Sequence, residues 1–469
     1  MGGLFSALNN SVQALSSIES ALAVTQNNVS NASTPGYADQ VALLSAQPFN
    51  LPAGLAGGVQ FAGTQSTQNE YVNQAVRTQL SAQGYFNAQS SPLASIQSLF
   101  DVSGQTGLTG DLNALFQSFS AWSATPSATT AQAVLTQAQA VAQDFQAAAA
   151  NLSQTTTSVN QQISANVNQI NTLATAIQTA NVAIQSSTTP DAGLQANLEA
   201  SLESLSQVAD VTVSFASNGT ATVLLGGQTP LVIGSQQYAI QASFSGSGNP
   251  PNASILDSNG QDITSQISQG SLGGLLAVRN TILPSIQGNG TQQGTLNQLA
   301  QGLADSVNTI LTSAQTSSGQ PGTPLFTYNA ANPSDVAQTL ALDPNITAST
   351  LAPVSPGPPV VSNGAALQLA NLGNSTAPVD EISGQTILQC LSSMATQAGQ
   401  NAANATTGSD LHTQLLTQSQ TLQTQVSGVS LDTEAAHVMQ LQQEFQAAGQ
   451  MVTVIDSLAT TLISMGATP

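Results

Sequence analysis

The chain contains no lysine, and its only arginines are Arg77 and Arg279. Its 22 aspartate and glutamate residues give it a formal net charge of −20 at pH 7. Nucleic-acid-binding proteins use Lys and Arg to displace counterions from phosphates, and anionic membranes attract the same residues. The shortage of cations therefore argues against nucleic acid as a partner and against binding to anionic membranes.

Cysteine and long apolar runs are also scarce. Cys390 is the only cysteine, so no disulfide within the chain and no CxxC site can form. No apolar run reaches the ~18–20 residues that a membrane-spanning helix needs, so we expect no membrane insertion. No basic residue precedes Arg77, so we expect no cleaved signal peptide. These features alone predict a cytosolic protein, unless an export route without such a peptide is used.

Aromatic residues make up only 4% and charged residues 5% of the 469 residues, whereas 41% are hydrophobic. The length predicts two to four domains. Their cores must consist of Ala, Leu, Val and Ile, which favour close packing of helices. With so little charge, solubility depends on Gln, Asn, Ser and Thr. Such a surface suits dense self-assembly, although a general compositional bias explains it equally well.

Both ends of the chain carry narrow apolar stripes. The N-terminal stripe repeats every seven residues at Leu8, Leu15, Leu22 and Val29. The C-terminal stripe alternates steps of four and three residues along Leu441, Phe445, Ala448, Val452, Ile455, Ala459 and Leu462. These spacings are typical of coiled-coil helices. A lone helix with so little charge is weakly stable, so we predict that the termini pair. The alternative is two unrelated core helices.

Between the termini, helical and β-rich patterns alternate. Residues 129–187 contain no Pro or Gly and predict one or two long helices, in which Asn181 interrupts a heptad pattern. Residues 206–262 carry alternating β-rich runs and a hairpin signal at Asn218–Gly219. The other predicted helical tracts are 272–282, 296–311 and 382–426.

These patterns predict a mainly α fold with a small β insertion. Long terminal helices pair as a coiled coil, the middle domain is a helical bundle, and a β domain lies distal to the termini. The predicted domains are residues 1–36 with 428–469 for the coiled coil, 37–205 with 263–427 for a helical rod-like domain, and 206–262 for a β-rich inserted outer domain.

No pattern predicts a catalytic site. Without lysine there is neither a Schiff base nor a P-loop lysine. His412 and His437 lie on separate helical tracts, without the spacing of a zinc site. Arg77 and Arg279 cannot form a basic patch, and each is expected to form a structural salt bridge. We therefore predict that the protein is not an enzyme and has no catalytic, cofactor-binding or metal-binding residues and no cofactor.

Residues 27–37, with the sequence NNVSNASTPGY, are followed by Gln40. They resemble the N-terminal signature shared by flagellar rod, hook and hook-associated proteins. Pro-Gly stops the helix in a tight turn, after which Tyr37 is expected to dock the chain onto the next layer. The form TPGY with Gln40 is most similar to the hook-associated protein 1 family, which usually has Arg where this chain has Asp39.

Residues near the C-terminus resemble the same family. Its C-terminal signature is similar to residues 427–434, SGVSLDTE, and 441–447, LQQEFQA. Ser430 or Asp432 is expected to cap the last helix, with Glu434 favourable in its first turn.

A third segment distinguishes this family from hook proteins. Residues 270–279, GSLGGLLAVR, followed by 296–300, LNQLA, resemble the hook-associated protein 1 family specifically. The three segments cover both ends and much of the helical body, but not residues 206–262 or 317–364.

The resemblance implies a structural flagellar component that joins the hook to the filament. Subunits would be exported unfolded by the flagellar type III apparatus and assemble outside the cell as a ring with copies of the same chain. The hook protein and the second hook-associated junction protein would be neighbours. A dedicated export chaperone would hold the C-terminal helix, and the terminal helices would be disordered before assembly.

The predicted assembly residues are those of the two stripes and the turn: Leu8, Leu15, Leu22, Val29, Tyr37, Leu441, Phe445, Val452, Ile455 and Leu462. Two alternatives stay open at this point. One is a hook, rod or filament subunit, and the other is an extracellular adhesin with a helical stalk and residues 206–262 as its binding head.

Overall fold

The structure is a computed structural model that describes residues 2–50, 55–100, 106–187, 190–373, 382 and 384–466. The helices are α1 (Gly2–Asn31), α2 (Glu70–Ser98), α3 (Gly107–Ala124), α4 (Ala128–Ser186), α5 (Ala192–Val208), α6 (Gly270–Ala277), α7 (Leu283–Gln287), α8 (Thr295–Thr312), α9 (Val336–Thr339), α10 (Gly364–Leu372), α11 (Ile387–Ser427) and α12 (Leu431–Gly466). The strands are β1 (Gln40–Ala46), β2 (Phe49–Asn50), β3 (Leu55–Ala56), β4 (Val59–Ser66), β5 (Val211–Phe215), β6 (Ala221–Leu225), β7 (Thr229–Ile233), β8 (Gln236–Gln237), β9 (Gln241–Ser243), β10 (Ser254–Leu256), β11 (Phe326–Thr327) and β12 (Ala341–Leu342). The predicted fold class, mainly α with a small β portion, is confirmed.

The terminal helices α1 and α12 lie antiparallel against each other. Asn28, near the end of α1, donates a hydrogen bond to Glu434 at the start of α12 over 3.3 Å. The described hydrophobic side chains that become buried in this pair are Ile18, Ala21 and Ile455. The predicted pairing of the termini is confirmed, and the pair has only a thin core of its own.

Helix α4 is one continuous helix of 59 residues. It begins with a capping box in which Ser127 and Thr130 bond reciprocally to each other's backbone. No Pro or Gly interrupts it, and its apolar side is fully buried at Phe145, Ile163 and Ile177. Because α4 contacts α3, α5 and the β-rich segment, it forms the axis of the helical body.

Helix α2 follows the hairpin of β1 and β4 and packs within the helical body. It packs along α11 over most of its length and also contacts α5 and α6. Beside it, α3 packs on α4 and buries Phe119 and Trp122. The helical body therefore surrounds α4 with shorter helices.

The β-rich segment contains an antiparallel sheet in the order β5-β6-β7-β8. Its first turn uses Asn218–Gly219, where Gly219 has a φ of +84° that favours glycine. The buried side chains Val223, Leu225 and Leu231 belong to the same hydrophobic cluster as the helical body. One hydrophobic core therefore joins the sheet to the helices. The division of the chain into three domains stays a prediction.

Asn181 attaches this sheet to α4 and is fully buried. Its Nδ2 donates to the carbonyl oxygens of Ala221 and Gly234 over 2.7 and 2.9 Å. Its Oδ1 accepts from the backbone N–H of Ala221 over 2.8 Å. The residue that interrupts the heptad pattern therefore holds the β sheet on the helix.

The sequence pattern does not predict the hairpin of β1 and β4 that follows α1. The two strands pair antiparallel from Gln40 with Ser66 to Ala46 with Val59. The hairpin lies along α1, where Ser17 Oγ donates to Val59 O over 3.2 Å. An irregularity between Leu43 and Leu44 breaks the alternation of side chains that marks a strand, which explains the omission.

Candidate functional site

The predicted assembly residues differ in exposure. Ile455 is buried, Val29, Phe445 and Leu462 are exposed, and the half-buried members are Leu8, Leu15, Leu22, Tyr37, Leu441 and Val452. The stripes therefore lie partly within the terminal pair and partly at its surface. Their assignment to an assembly interface stays a prediction.

The terminal pair exposes many large apolar side chains. We call the following residues, each 50–71% exposed, the terminal apolar surface: Phe5, Val12, Met439, Met451, Val454, Leu458, Ile463 and Met465. Glu19 is the only charged residue of α1. Exposed apolar side chains concentrated on one element mark a surface that associates with another protein.

Five residues meet where the terminal pair joins the body, and we call Asn28, Tyr37, Asp39, Gln40 and Glu434 the joint cluster. Asn28 Nδ2 lies 2.5 Å from Asp39 Oδ1, 2.9 Å from Gln40 O and 3.3 Å from Glu434 Oε2. Asn28 Oδ1 accepts from Tyr37 Oη over 2.9 Å and from Gln40 N over 3.1 Å. One buried amide therefore connects α1, the following turn and α12.

Burial and like charge change the titration of this cluster. Burial, followed by the negative charges of Asp39 and Glu434, raises the pKa of Tyr37 to about 12. Burial, followed by Glu434, also raises the pKa of Asp39, while hydrogen bonds and His437 oppose that shift. The tyrosine hydroxyl therefore stays a hydrogen-bond donor, and Asp39 binds its proton more tightly than a free aspartate.

The Pro-Gly turn docks on α5. Gly36 has a φ of +74°, and a Cβ atom there would lie 2.4 Å from Ala196 O and 3.0 Å from Ala200 N. Glycine is required both for the left-handed backbone and for this close approach. The turn expected from the sequence therefore contacts the backbone of α5. This approach is possible because Gly36 has no side chain and because Ala196 and Ala200 have small ones.

We expect Gly36→Ala to lower the free energy of unfolding by about 2–4 kcal/mol, because left-handed strain and overlap with Ala196 add together. Gly107→Ala is the matched control, since Gly107 has a φ of +64° but no atom within 4 Å of the place that a Cβ would occupy. Urea unfolding of both variants measures the difference. Equal losses for the two variants would show that the contact with α5 contributes nothing.

Arg77, on α2, forms the predicted salt bridge. Its Nη1 is 2.5 Å from Glu199 Oε1, and its Nη2 contacts Glu70 Oε1. Glu199 is only 1% exposed, and this burial outweighs Arg77 and raises the pKa of Glu199 to about 7. Gln423 of α11 adds hydrogen bonds of 3.0 Å to Asn73 and to Glu203. These contacts tie α2, α5 and α11 together.

Arg279 has no carboxylate partner among the described residues, contrary to the expected salt bridge. Its Nε donates to Asn160 Oδ1 over 2.7 Å, and its Nη2 donates to Pro251 O. Burial lowers its pKa. Neutral oxygen acceptors hold this guanidinium because its fork of donors fits amide and carbonyl groups as well as carboxylates.

The histidines lie apart, as their positions predict. His412 stacks on Phe86 with 5.6 Å between ring centroids, and its Nδ1 lies 2.9 Å from Gln79 Oε1. His437 Nδ1 lies 3.7 Å from Glu434 Oε1. Within the described ranges, no three His, Cys, Asp or Glu side chains converge in a way that could hold a metal ion. No helix in the described part of the chain is both long and apolar enough to cross a membrane.

Sequence reasoning missed Asn28 and Asp39 as members of a site. It assigned Glu434 only to the first turn of a helix, although Glu434 is 3% exposed and hydrogen-bonded to Asn28. The sequence feature that could have indicated this site is Asn28, a polar residue directly before Val29 of the N-terminal apolar stripe. Its partner in α12 lies 406 residues away, so no local pattern identifies it.

Comparison with known proteins supplies the family context for this arrangement. Residues 93–326 match the protein family described as the flagellar hook-associated protein FlgK helical domain. The chain is also similar to flagellar hook-associated protein 1 of Bacillus subtilis (strain 168), with 27% identity over 144 residues. That match spans 29% of this chain and 28% of the relative's length.

A solved structure shares the fold. The flagellar hook junction protein FlgK from Burkholderia pseudomallei superposes with a TM-score of 0.65 at 16% sequence identity. The match covers 76% of this chain and all of that one. At this identity the similarity concerns the fold alone.

Proposed function

Since the chain belongs to the FlgK family of flagellar hook-associated proteins, we propose that it is a structural, non-enzymatic subunit that joins the hook to the filament of a bacterial flagellum. The observation that carries the proposal is the match of residues 93–326 to the family's helical domain. The terminal pair adds independent support, because it exposes apolar side chains that a single chain leaves uncovered.

Assembly would use the terminal apolar surface and the two stripes. In the proposed ring, α1 and α12 of neighbouring copies pack side by side and cover Val454, Leu458 and similar residues. The terminal pair buries little apolar surface within one chain, so it would gain most of its stability on assembly. The hook protein and a second hook-associated junction protein are the proposed neighbours along the axis.

Export would precede this assembly. We infer that subunits leave the cell through the flagellar type III apparatus and that a chaperone holds α12 beforehand. An exposed apolar helix such as α12 is the kind of segment that a helix-binding chaperone covers. In this arrangement residues 1–36 with 428–469 would form the inner coiled coil, and 206–262 would face outward from the helical body.

Deletion of the gene tests this function directly. We expect cells that keep their hooks, lose their filaments and release filament subunits into the medium, because the connection between hook and filament is missing. Electron microscopy of the cells and immunoblots of the medium measure both effects. Expression of the full chain should restore filaments. Filaments of normal number and length in the deletion strain would refute the role.

A further inference from the structure

Two carboxylates from distant parts of the chain share one amide at the joint cluster. Asn28 Nδ2 is 2.5 Å from Asp39 Oδ1 and 3.3 Å from Glu434 Oε2, and it also contacts Gln40 O. Asn28 and Glu434 are 1% and 3% exposed. An amide has only two hydrogens, so it cannot satisfy three acceptors fully. Two ionised carboxylates here repel each other, and the burial of Asn28 and Glu434 weakens the screening of that repulsion by water.

The surrounding elements supply almost no positive charge. Helix α1 and the following turn contribute the neutral groups Asn28 and Tyr37. Helix α12 contributes His437, whose ring lies 3.7 Å from Glu434 and is 55% exposed. From α11 and the segment before α2, Ser427 and Thr67 face Asp39.

A cavity of about 360 Å³ is lined both by the Tyr37 turn and by groups of the helical body. Glu199 and Glu203 line its far side. Arg77 lies close by but is already paired with Glu70 and Glu199. Among the described residues, His437 is therefore the only group whose charge offsets the negative charge on Asp39.

Asp39 is also the point where the terminal pair attaches to the body. Its backbone N–H donates to Ser427 O at the end of α11 over 2.9 Å, and its carbonyl accepts from Thr67 N over 2.9 Å. Thr67 Oγ1 adds a 3.1 Å bond to the same carbonyl. A movement of Asp39 away from Glu434 would therefore shift α1 and α12 relative to α2 and α11.

We propose that Asp39 and Glu434 form a proton-operated latch that fixes the paired terminal helices to the helical body. One proton taken from solvent binds a carboxylate oxygen of Asp39 and removes its repulsion with Glu434. The neutral carboxyl gains an O–H donor, and the Asn28 amide then serves the remaining carboxylate. Loss of the proton reverses these changes and loosens the joint.

The direction of the pH effect follows from the direction in which the pKa of Asp39 is shifted. Burial and then Glu434 raise the pKa of Asp39 in the folded joint above its ordinary value. The closed joint therefore binds a proton that the open joint releases. The latch is fully stable below the ordinary aspartate pKa of about 4, and its stability is lost as the pH rises through the raised value.

Hydrogen exchange on the isolated full chain, measured by mass spectrometry between pH 4 and pH 8, tests the latch. After correction for the intrinsic pH dependence of exchange, we expect protection of residues 28–40 and 430–438 to fall as the pH rises, because the pKa of Asp39 is raised in the closed joint. Asp39→Asn, which keeps the shape but not the charge, should remain protected at high pH. Protection of α4 serves as the internal reference for folding.

Two controls separate the latch from other titrations. Asp432→Asn removes an exposed carboxylate from the same helical turn and should keep the wild-type profile. His437→Gln removes the positive charge that offsets Asp39, so it should keep the pH dependence and shift its midpoint to a higher pH. Glu199 has a pKa of about 7 and therefore also titrates in this pH range. It lies on α5 and pairs with Arg77 of α2, so its effect on protection is expected in peptides of those two helices, which are measured separately. A flat wild-type profile, an unchanged profile in Asp39→Asn, or loss of the dependence in His437→Gln overturns the proposal. The readout needs no flagellum, so its failure is distinct from failure of the proposed function.

Discussion

Replacing Val454 and Leu458 together with aspartate is expected to leave hooks without filaments while the chain still folds and is exported. The two side chains are 55% and 52% exposed, one turn apart on α12. They bury little in the single chain, so their loss costs little stability. Buried between copies, they would contribute about 3 kcal/mol or more together, roughly a hundredfold in affinity for each contact. Introduced carboxylates add a desolvation penalty to that loss.

The fraction of hooks that bear filaments, counted by electron microscopy in a complemented deletion strain, measures this effect. Immunoblots of secreted subunit separate failed assembly from failed export. The matched control is Thr453→Asp with Thr460→Asp, two exposed positions whose hydroxyls bond to their own helix. Filaments should persist in the control. Equal defects in both variants would mean that added charge, rather than loss of the terminal apolar surface, blocks assembly.

Asn181→Leu is expected to destabilise the chain more than Gly36→Ala does. Leucine has a similar volume but cannot replace the three hydrogen bonds to Ala221 and Gly234. Each buried polar group left without a partner costs about 1–3 kcal/mol, so we expect a loss of about 3–5 kcal/mol. The sheet β5–β8 should separate first from α4, because these bonds join the two elements.

Urea unfolding followed by circular dichroism gives the free energy, and hydrogen exchange in β6 and β7 locates the change. Asn151→Leu at an exposed position of the same helix is the control and should alter the free energy by about 0.5 kcal/mol or less. If the two variants unfold alike, the attachment of the sheet must depend on its apolar side chains instead.

The amino-acid composition of the chain gives a physical reason for the proposed latch. A protein with 22 acids and two arginines has few cations with which to neutralise a buried carboxylate. A raised pKa, by which a buried acid keeps its proton, is another way to place such a group in a joint. The pKa of Asp144 on α4 is likewise raised by burial and then by the negative charge of Asp111 on α3.

Several helices and their apolar faces could be predicted from the order of residues alone, although α2 and α3 were not among them. The heptad at Leu8–Val29 and the stripe at Leu441–Leu462 predicted two terminal helices, and the run without Pro or Gly predicted α4. These features depend on residues within a few turns of each other, so local periodicity and the absence of helix breakers are sufficient. The Asn218–Gly219 turn was predictable for the same reason.

The contacts between polar groups, in contrast, depend on how the whole chain folds. Asn28 contacts Glu434 from 406 residues away, Asn181 binds a strand that begins 40 residues later, and Gly36 approaches the backbone of α5. The hairpin β1–β4 also depends on α1 as its support. Such contacts depend on the path of the whole chain, whereas a sequence pattern specifies only which side of an element is apolar. The proposed latch therefore depends on packing between distant segments, whereas the helices that were predicted depend on local patterns of residues.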